Sequence, residues 1–274
     1  MPTMLPTPQP QSSMPGQPPR WRTAALTLAV LGALALHGCA RQDDAALGRD
    51  LAAKGDYAGA VIALKSAVQA APDAAELRVL LADALERRHD LPGAEQQLRH
   101  AIEHGGDVNT LTPRLALLML DRGEADALIR AFKDQRLPDL QADAALRGTV
   151  ALALLTLHRD AAAKAHILGA APVAPVRLAQ AQLLAGTGKA DNARQALALL
   201  QLDDTAQPPP WWLLRAGRRL ALAAGEPDLS LQLVRRAHEA VPYHVGLMGE
   251  YGEALITAGR ADEAGAVRDR LRQL

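Results

Sequence analysis

Residues 53–105 read AKGDYAGAVIALKSAVQAAPDAAELRVLLADALERRHDLPGAEQQLRHAIEHG. Two turn signals interrupt this stretch 34 residues apart, Gly55-Asp56-Tyr57 and His89-Asp90-Leu91. After the first, Ala60, Val61, Leu64, Ala67 and Val68 recur at i, i+3/4, i+7, the spacing of one helical stripe facing a core. Leu47, Gly48 and Leu51 mark a helix before that turn, and Pro72 ends the second helix. The unit is therefore two helices joined by a tight turn. Gly55 tolerates a left-handed backbone at the helix end. Gly48 and Ala60 are small enough to let the two helices approach. Asp73 and Glu76 are expected to form a capping box for the next helix.

The same punctuation continues outward. Gly123 follows His89 by 34 residues, and Gly259 follows Gly225 by 34. Between Gly123 and Gly225, His158 and Gly188 divide the chain into spacings of 35, 30 and 37, which sum to three periods. Pro242 follows Gly225 by 17 residues, as Pro72 follows Gly55. Such a period in an Ala/Leu-rich chain predicts stacked helical hairpins, an architecture built to hold partners. The second unit carries Leu81-Ala82, Leu85, Ala94, Leu98 and Ala101; the third carries Leu115-Ala116, Met119, Leu128 and Phe132. The fourth and fifth turn near His158 and Gly188, with Ala163 and Ala193 as small residues of their second helices. The sixth uses Ser230, Val234 and Ala237, and the seventh Tyr251-Gly252, Leu255 and Ala264. The charged segment Asp262 to Arg272 is expected to be a solvated terminal cap.

Leu-Gly in the first helix, Gly-x-Tyr at the turn, Ala and a large residue in the second helix, then Pro, resembles the tetratricopeptide repeat. The resemblance implies an all-α, right-handed superhelical solenoid of antiparallel helix hairpins. The expected organisation is an N-terminal tract and signal peptide over 1–38, a tether over 39–43 and five repeats over 44–203. A Pro-rich joint over 204–210 and two further repeats with a cap over 211–274 complete it. In this register the concave face is lined by first-helix side chains that do not pack inside their own hairpin. Arg49, Asp83, Arg87, Trp212, Arg215, Arg219 and Glu253 are the candidates for partner binding. Trp212, Arg215 and Arg219 share a helical face, and Trp and Arg dominate binding hot spots. The competing reading is that Trp211 and Trp212 pack the joint after Pro208-Pro209-Pro210.

Hydrophobic residues make up 49%, charged residues 22% and aromatics 3%, and the formal net charge is zero. Ala and Leu outweigh Val and Ile, which favours helix. A nucleic-acid partner is not expected without a basic surplus. One cysteine excludes an intrachain disulfide and a thiolate zinc site.

That cysteine sits behind a targeting signal. Residues 1–20 are rich in Pro, Gln and Ser and cannot form a core; translation from Met14 would give a leader of ordinary length. Arg20 and Arg22 precede an apolar run from Ala24 to Leu36, too short to span a bilayer and of signal-peptide length. Leu36-His37-Gly38-Cys39 resembles the bacterial lipobox, with His37 in place of the usual small or hydroxylated residue. The resemblance implies an acylated N-terminus at Cys39, and Ala40 in the next position implies the outer membrane, facing the periplasm. Acyl chains in combination anchor firmly.

No chemistry stands out elsewhere. His100 and His104 are i, i+4 on a helix, but no third ligand falls at metal spacing, so a solvated helix end is expected. Gly186-Thr187-Gly188-Lys189 lacks the earlier glycine and the following Ser or Thr of a phosphate loop, and reads as a repeat turn. No enzyme, metal or cofactor is expected.

The stretch 53–105 also resembles the opening repeats of tetratricopeptide lipoproteins of PEP-CTERM/exosortase systems. Gly55-Asp56-Tyr57, the Ile62 to Ala67 run and Leu98-Arg99 carry that likeness, to about residue 136. It implies an envelope scaffold with protein partners in exopolysaccharide production or protein sorting. An adaptor in outer-membrane protein or pilus assembly, and a regulatory partner of a peptidoglycan enzyme, are the alternatives.

Overall fold

The computed structural model describes residues 44–186, 188–203 and 208–273. Leu36, Gly38 and Cys39, the rest of 1–43, Thr187, residues 204–207 of the expected joint and Leu274 lie outside the described residues.

The described residues fold as seven antiparallel hairpins. These are α1 (44–53) with α2 (Tyr57–Ala70), α3 (Ala75–Arg87) with α4 (Leu91–Glu103), and α5 (Val108–Asp121) with α6 (Ala125–Phe132). Then come α7 (Leu140–Thr156) with α8 (Asp160–Ile167), α9 (Ala174–Ala185) with α10 (Ala190–Leu199), α11 (Trp211–Ala223) with α12 (Pro227–Ala240), and α13 (Val245–Thr257) with α14 (Ala261–Leu271). Every turn expected from the period has a left-handed residue: Gly55, His89, Gly123, His158, Gly188, Gly225 and Gly259 all have positive φ. The turn chemistry repeats as well. The amide after the left-handed residue bonds a carbonyl five residues back, as Asp56 N does to Leu51 O at 2.9 Å and Asp90 N to Leu85 O at 2.9 Å. Asp56 and Asp90 then cap α2 and α4 by accepting from Gly59 N and Gly93 N. Both helix ends are thus satisfied within three residues, which turns the chain back on itself.

The small residues lie where the helices touch. Ala60, Ala94 and Ala163 are wholly buried, and Ala193, Ser230 and Ala264 nearly so. A Cβ on Gly48 would come within 2.6 Å of Leu64 Cγ, so α1 and α2 are in contact there. Gly148 serves an approach between hairpins: its Cβ would lie 2.6 Å from Val176 N, pressing α7 into the start of α9.

Among the described residues the main hydrophobic core runs from Ala60 to Leu247, and a smaller cluster of Ala45, Ala67, Ala71 and Leu77 lies at the first hairpin. The main core crosses the expected joint, because α10 and α9 both pack on α11, and Leu202 sits against Gly217. α14 buries only Ala264 and covers the end of the stack. No helix among the described residues is long and apolar enough to cross a membrane.

The capping box at Asp73 and Glu76 does not form. The N-cap of α3 is Ala74, one residue later, so Glu76 falls at the wrong helical position to reach back. Glu76 instead pairs with Arg49, and Asp73 lies 3.3 Å from His104.

Candidate partner-binding cavity

The first helices of the hairpins build the inner wall of the superhelix. α3, α5, α7, α9 and α11 contribute Arg87, Leu117, Leu152, Leu178 and Trp212 to one cavity of about 580 Å³. Its wall is mixed, with leucines, prolines and the two tryptophans giving the larger share, and its charges are uneven: four arginines (Arg87, Arg114, Arg215, Arg219) face it, against the two carboxylates Glu86 and Asp121.

Neighbouring first helices are tied together by these charges. Arg114 on α5 pairs with Asp83 and Glu86 on α3. Burial pushes the Glu86 carboxyl up, against the opposing pull of Arg114. Glu250 on α13 accepts from Arg215 at 2.9 Å and faces Arg218 at 3.5 Å and Arg219 at 3.4 Å, all on α11. Burial would raise the Glu250 carboxyl, but the Arg215 bond and the three guanidinium charges outweigh it and hold it low.

Contacts across long sequence separations close the superhelix. Arg87 Nη1 donates to Ala240 O at 3.2 Å. The ring of His89, on the α3–α4 turn, lies 4.1 Å from that of His244, the N-cap of α13. Trp211 meets His244 edge-on at 4.8 Å, and Tyr57 meets Tyr243 at 6.5 Å. Asp121, the last residue of α5, lies 3.4 Å from His244 Nε2 and 3.5 Å from Arg215 Nη1. A second cavity of about 390 Å³ lies on the far side of this seam, between Tyr57, Arg88, His89, Tyr243 and Val245.

His89, Asp121 and His244 bring three ligand atoms within 4.8 Å of one another. The wiring is that of a hydrogen-bonded cluster. His244 Nδ1 accepts from Leu247 N at 3.2 Å, which leaves the proton on Nε2, facing Asp121. A cation on Nε2 would need that proton moved to Nδ1, against the Leu247 amide, and would meet Arg215 beside the carboxylate.

Of the residues expected on the concave face, Arg87, Trp212, Arg215 and Arg219 line the cavity. Arg49, Asp83 and Glu253 do not: Arg49 reaches Glu76 on the next hairpin, Asp83 backs Arg114 from behind, and Glu253 is exposed on α13. Trp211 and Trp212 are also partly buried against the core, so packing and display are combined in one pair. His100 and His104 pair separately with Glu103 and Asp73 and share no site. Sequence reasoning did not find Asp121 or His244. For His89 a signal existed, since it stands where five of the other six turns carry glycine, at Gly55, Gly123, Gly188, Gly225 and Gly259.

Residues 51–119 match the tetratricopeptide repeat family. The same hairpin geometry extends to Leu271, so the class is a tetratricopeptide-type helical solenoid. No curated protein matches the chain. Among solved structures it is similar to a tetratricopeptide repeat protein from Parabacteroides merdae, at 17% identity, covering 85% of this chain and 93% of that one, with a TM-score of 0.46. It is also similar to PilW, a widely conserved type IV pilus biogenesis factor (13% identity, 78% and 98% covered, TM-score 0.47). The Pseudomonas aeruginosa pilF protein matches at 19% identity, with 79% and 97% covered and a TM-score of 0.44. At these identities and scores the likenesses carry nothing about partners.

Proposed function

We propose that the protein is a non-catalytic scaffold of the bacterial cell envelope whose inner cavity holds a segment of a protein partner. The observation that supports this reading most is the cavity itself. Trp212 and a leucine wall offer apolar area, and Arg87 and Arg219 offer charge at its edge. Cys39, in its lipobox-like setting, is the proposed lipid anchor to the outer membrane, with the solenoid facing the periplasm. The pathway we propose is exopolysaccharide production or the sorting of PEP-CTERM proteins, on the repeat sequence of 53–105. No nucleic acid or cofactor takes part.

In-cell crosslinking and affinity capture of the full chain, run beside Cys39→Ala, tests this. Recovery of polysaccharide synthesis or export components, lost in the variant, is the expected result. Recovery of pilus or outer-membrane assembly proteins would replace the pathway and leave the scaffold. Equal recovery with Cys39→Ala would remove the anchor from the account.

A further inference from the structure

We infer that His89 and His244 form an acid-sensitive latch that closes the superhelix across its own groove. As regulation of the cavity, the inference rests on the partner-binding reading; as a property of the chain, it does not.

Three independent features support it. The first is where His89 stands. Its φ is +59°, in the left-handed region that costs an L-residue about 1–2 kcal/mol and that glycine takes at five of the other six turns, His158 being the exception. A strained backbone held at a contact between distant elements is a mark of function. The second is what the strain achieves. It carries the imidazole onto His244, whose ring is itself fixed by Trp211 on one side and by the Leu247 amide on Nδ1. The third is position. The seam separates the two cavities, and His89 lines both. With Arg87 on Ala240 O, this contact joins the α3–α4 hairpin to the end of α12 and the α12–α13 loop.

The chemistry of the seam makes the latch respond to protons. His89 is faced by His244 and Tyr243 from the α12–α13 loop, Asp121 from α5, Arg215 and Arg219 from α11, and Asp56 and Tyr57 from the α1–α2 turn. Arg87, Arg88, Glu86 and Asp90 flank it on its own hairpin. Burial lowers the pKa of His89, and His244 and Arg215 lower it further, against the opposing effect of Asp121. A proton on His89 would place a charge in the half-buried seam beside Arg215, with the His244 ring 4.1 Å away. The closed form therefore binds fewer protons at His89 than the open form. Closure is fully favoured above the ordinary histidine value and weakens as pH falls below it.

The test measures the seam directly. Spin labels at Ala58→Cys and Val245→Cys, on opposite sides of the seam, are read in the full chain carrying Cys39→Ala. Going from about pH 7.5 to about pH 5.5, the wild-type closed-to-open ratio should fall by up to about tenfold, seen as a longer label distance. Two variants keep the local structure and remove the latch. His89→Gly suits the left-handed turn, and His244→Asn still caps α13. Both should give a more open distance that no longer responds to pH. A wild-type distance that does not move, or an unchanged response in either variant, overturns the latch. No partner is present, so the outcome is independent of whether the cavity binds one.

Discussion

Gly148→Ala and Gly249→Ala are the same chemical change in the interior of two helices, and the structure gives them opposite signs. Replacing a helical glycine by alanine gains about 1 kcal/mol from propensity alone. At Gly249 nothing lies within 4 Å of the added Cβ, so that gain should appear as a stabilisation of about 0.5–1 kcal/mol. At Gly148 the Cβ would sit 2.6 Å from Val176 N and 2.7 Å from Pro175 C. These are backbone atoms and cannot rotate aside, so α7 and α9 must move apart along a contact that shapes the inner wall. Overpacking costs about 1–3 kcal/mol and falls at the upper end here, because backbone gives way least. Net of propensity, Gly148→Ala should destabilise by about 1–2 kcal/mol. For a chain of this size that lowers the melting temperature by about 2–8 °C. Thermal unfolding gives the sign, and hydrogen exchange should place the loss in α7 and the start of α9. Gly148→Ala as stable as the parent chain, or both variants shifting the same way, would refute the packing argument.

Gly225→Ala isolates backbone strain from space: no atom lies within 4 Å of its Cβ, but φ is +80°, so a loss of about 1–2 kcal/mol is expected by denaturant titration. Glu250→Gln should cost about 1–3 kcal/mol at neutral pH, because one carboxylate serves three arginines. The folded carboxyl is held low, so the gap between parent and variant should be full above the ordinary glutamate value and shrink as pH falls through the folded one. A gap that persists in strong acid would contradict the assignment. Trp212→Ala should weaken partner affinity by about 2 kcal/mol, roughly thirtyfold, in a calorimetric or plate assay; unchanged affinity removes it from the site.

The hairpins were legible because each is closed by local physics. A left-handed residue, a cap and a small contact residue within one period decide where the chain reverses, and all lie a few residues apart. Even the weak fourth and fifth units turn at His158 and Gly188 as the spacing requires. The superhelical closure was not legible. His89 and His244 meet because small rotations accumulate over four intervening hairpins, and no pattern within one repeat records their sum. The concave-face register was partly readable for the same reason. Arg87 and the α11 residues project inward, whereas Arg49 and Glu253, on the first and last hairpins, lie beyond the cavity. The capping box failed on a shift of one residue at the start of α3, below what spacing resolves.

The central claim is that the inner face, and not the outside of the solenoid, holds the partner. A photocrosslinking residue at Trp212, within the cavity, compared with one at Ile62, 73% exposed and outside it, tests this directly in cells. The account predicts that the partner recovered with the unmodified chain crosslinks from position 212 and not from 62. Equal crosslinking from both, or crosslinking from 62 alone, would contradict it.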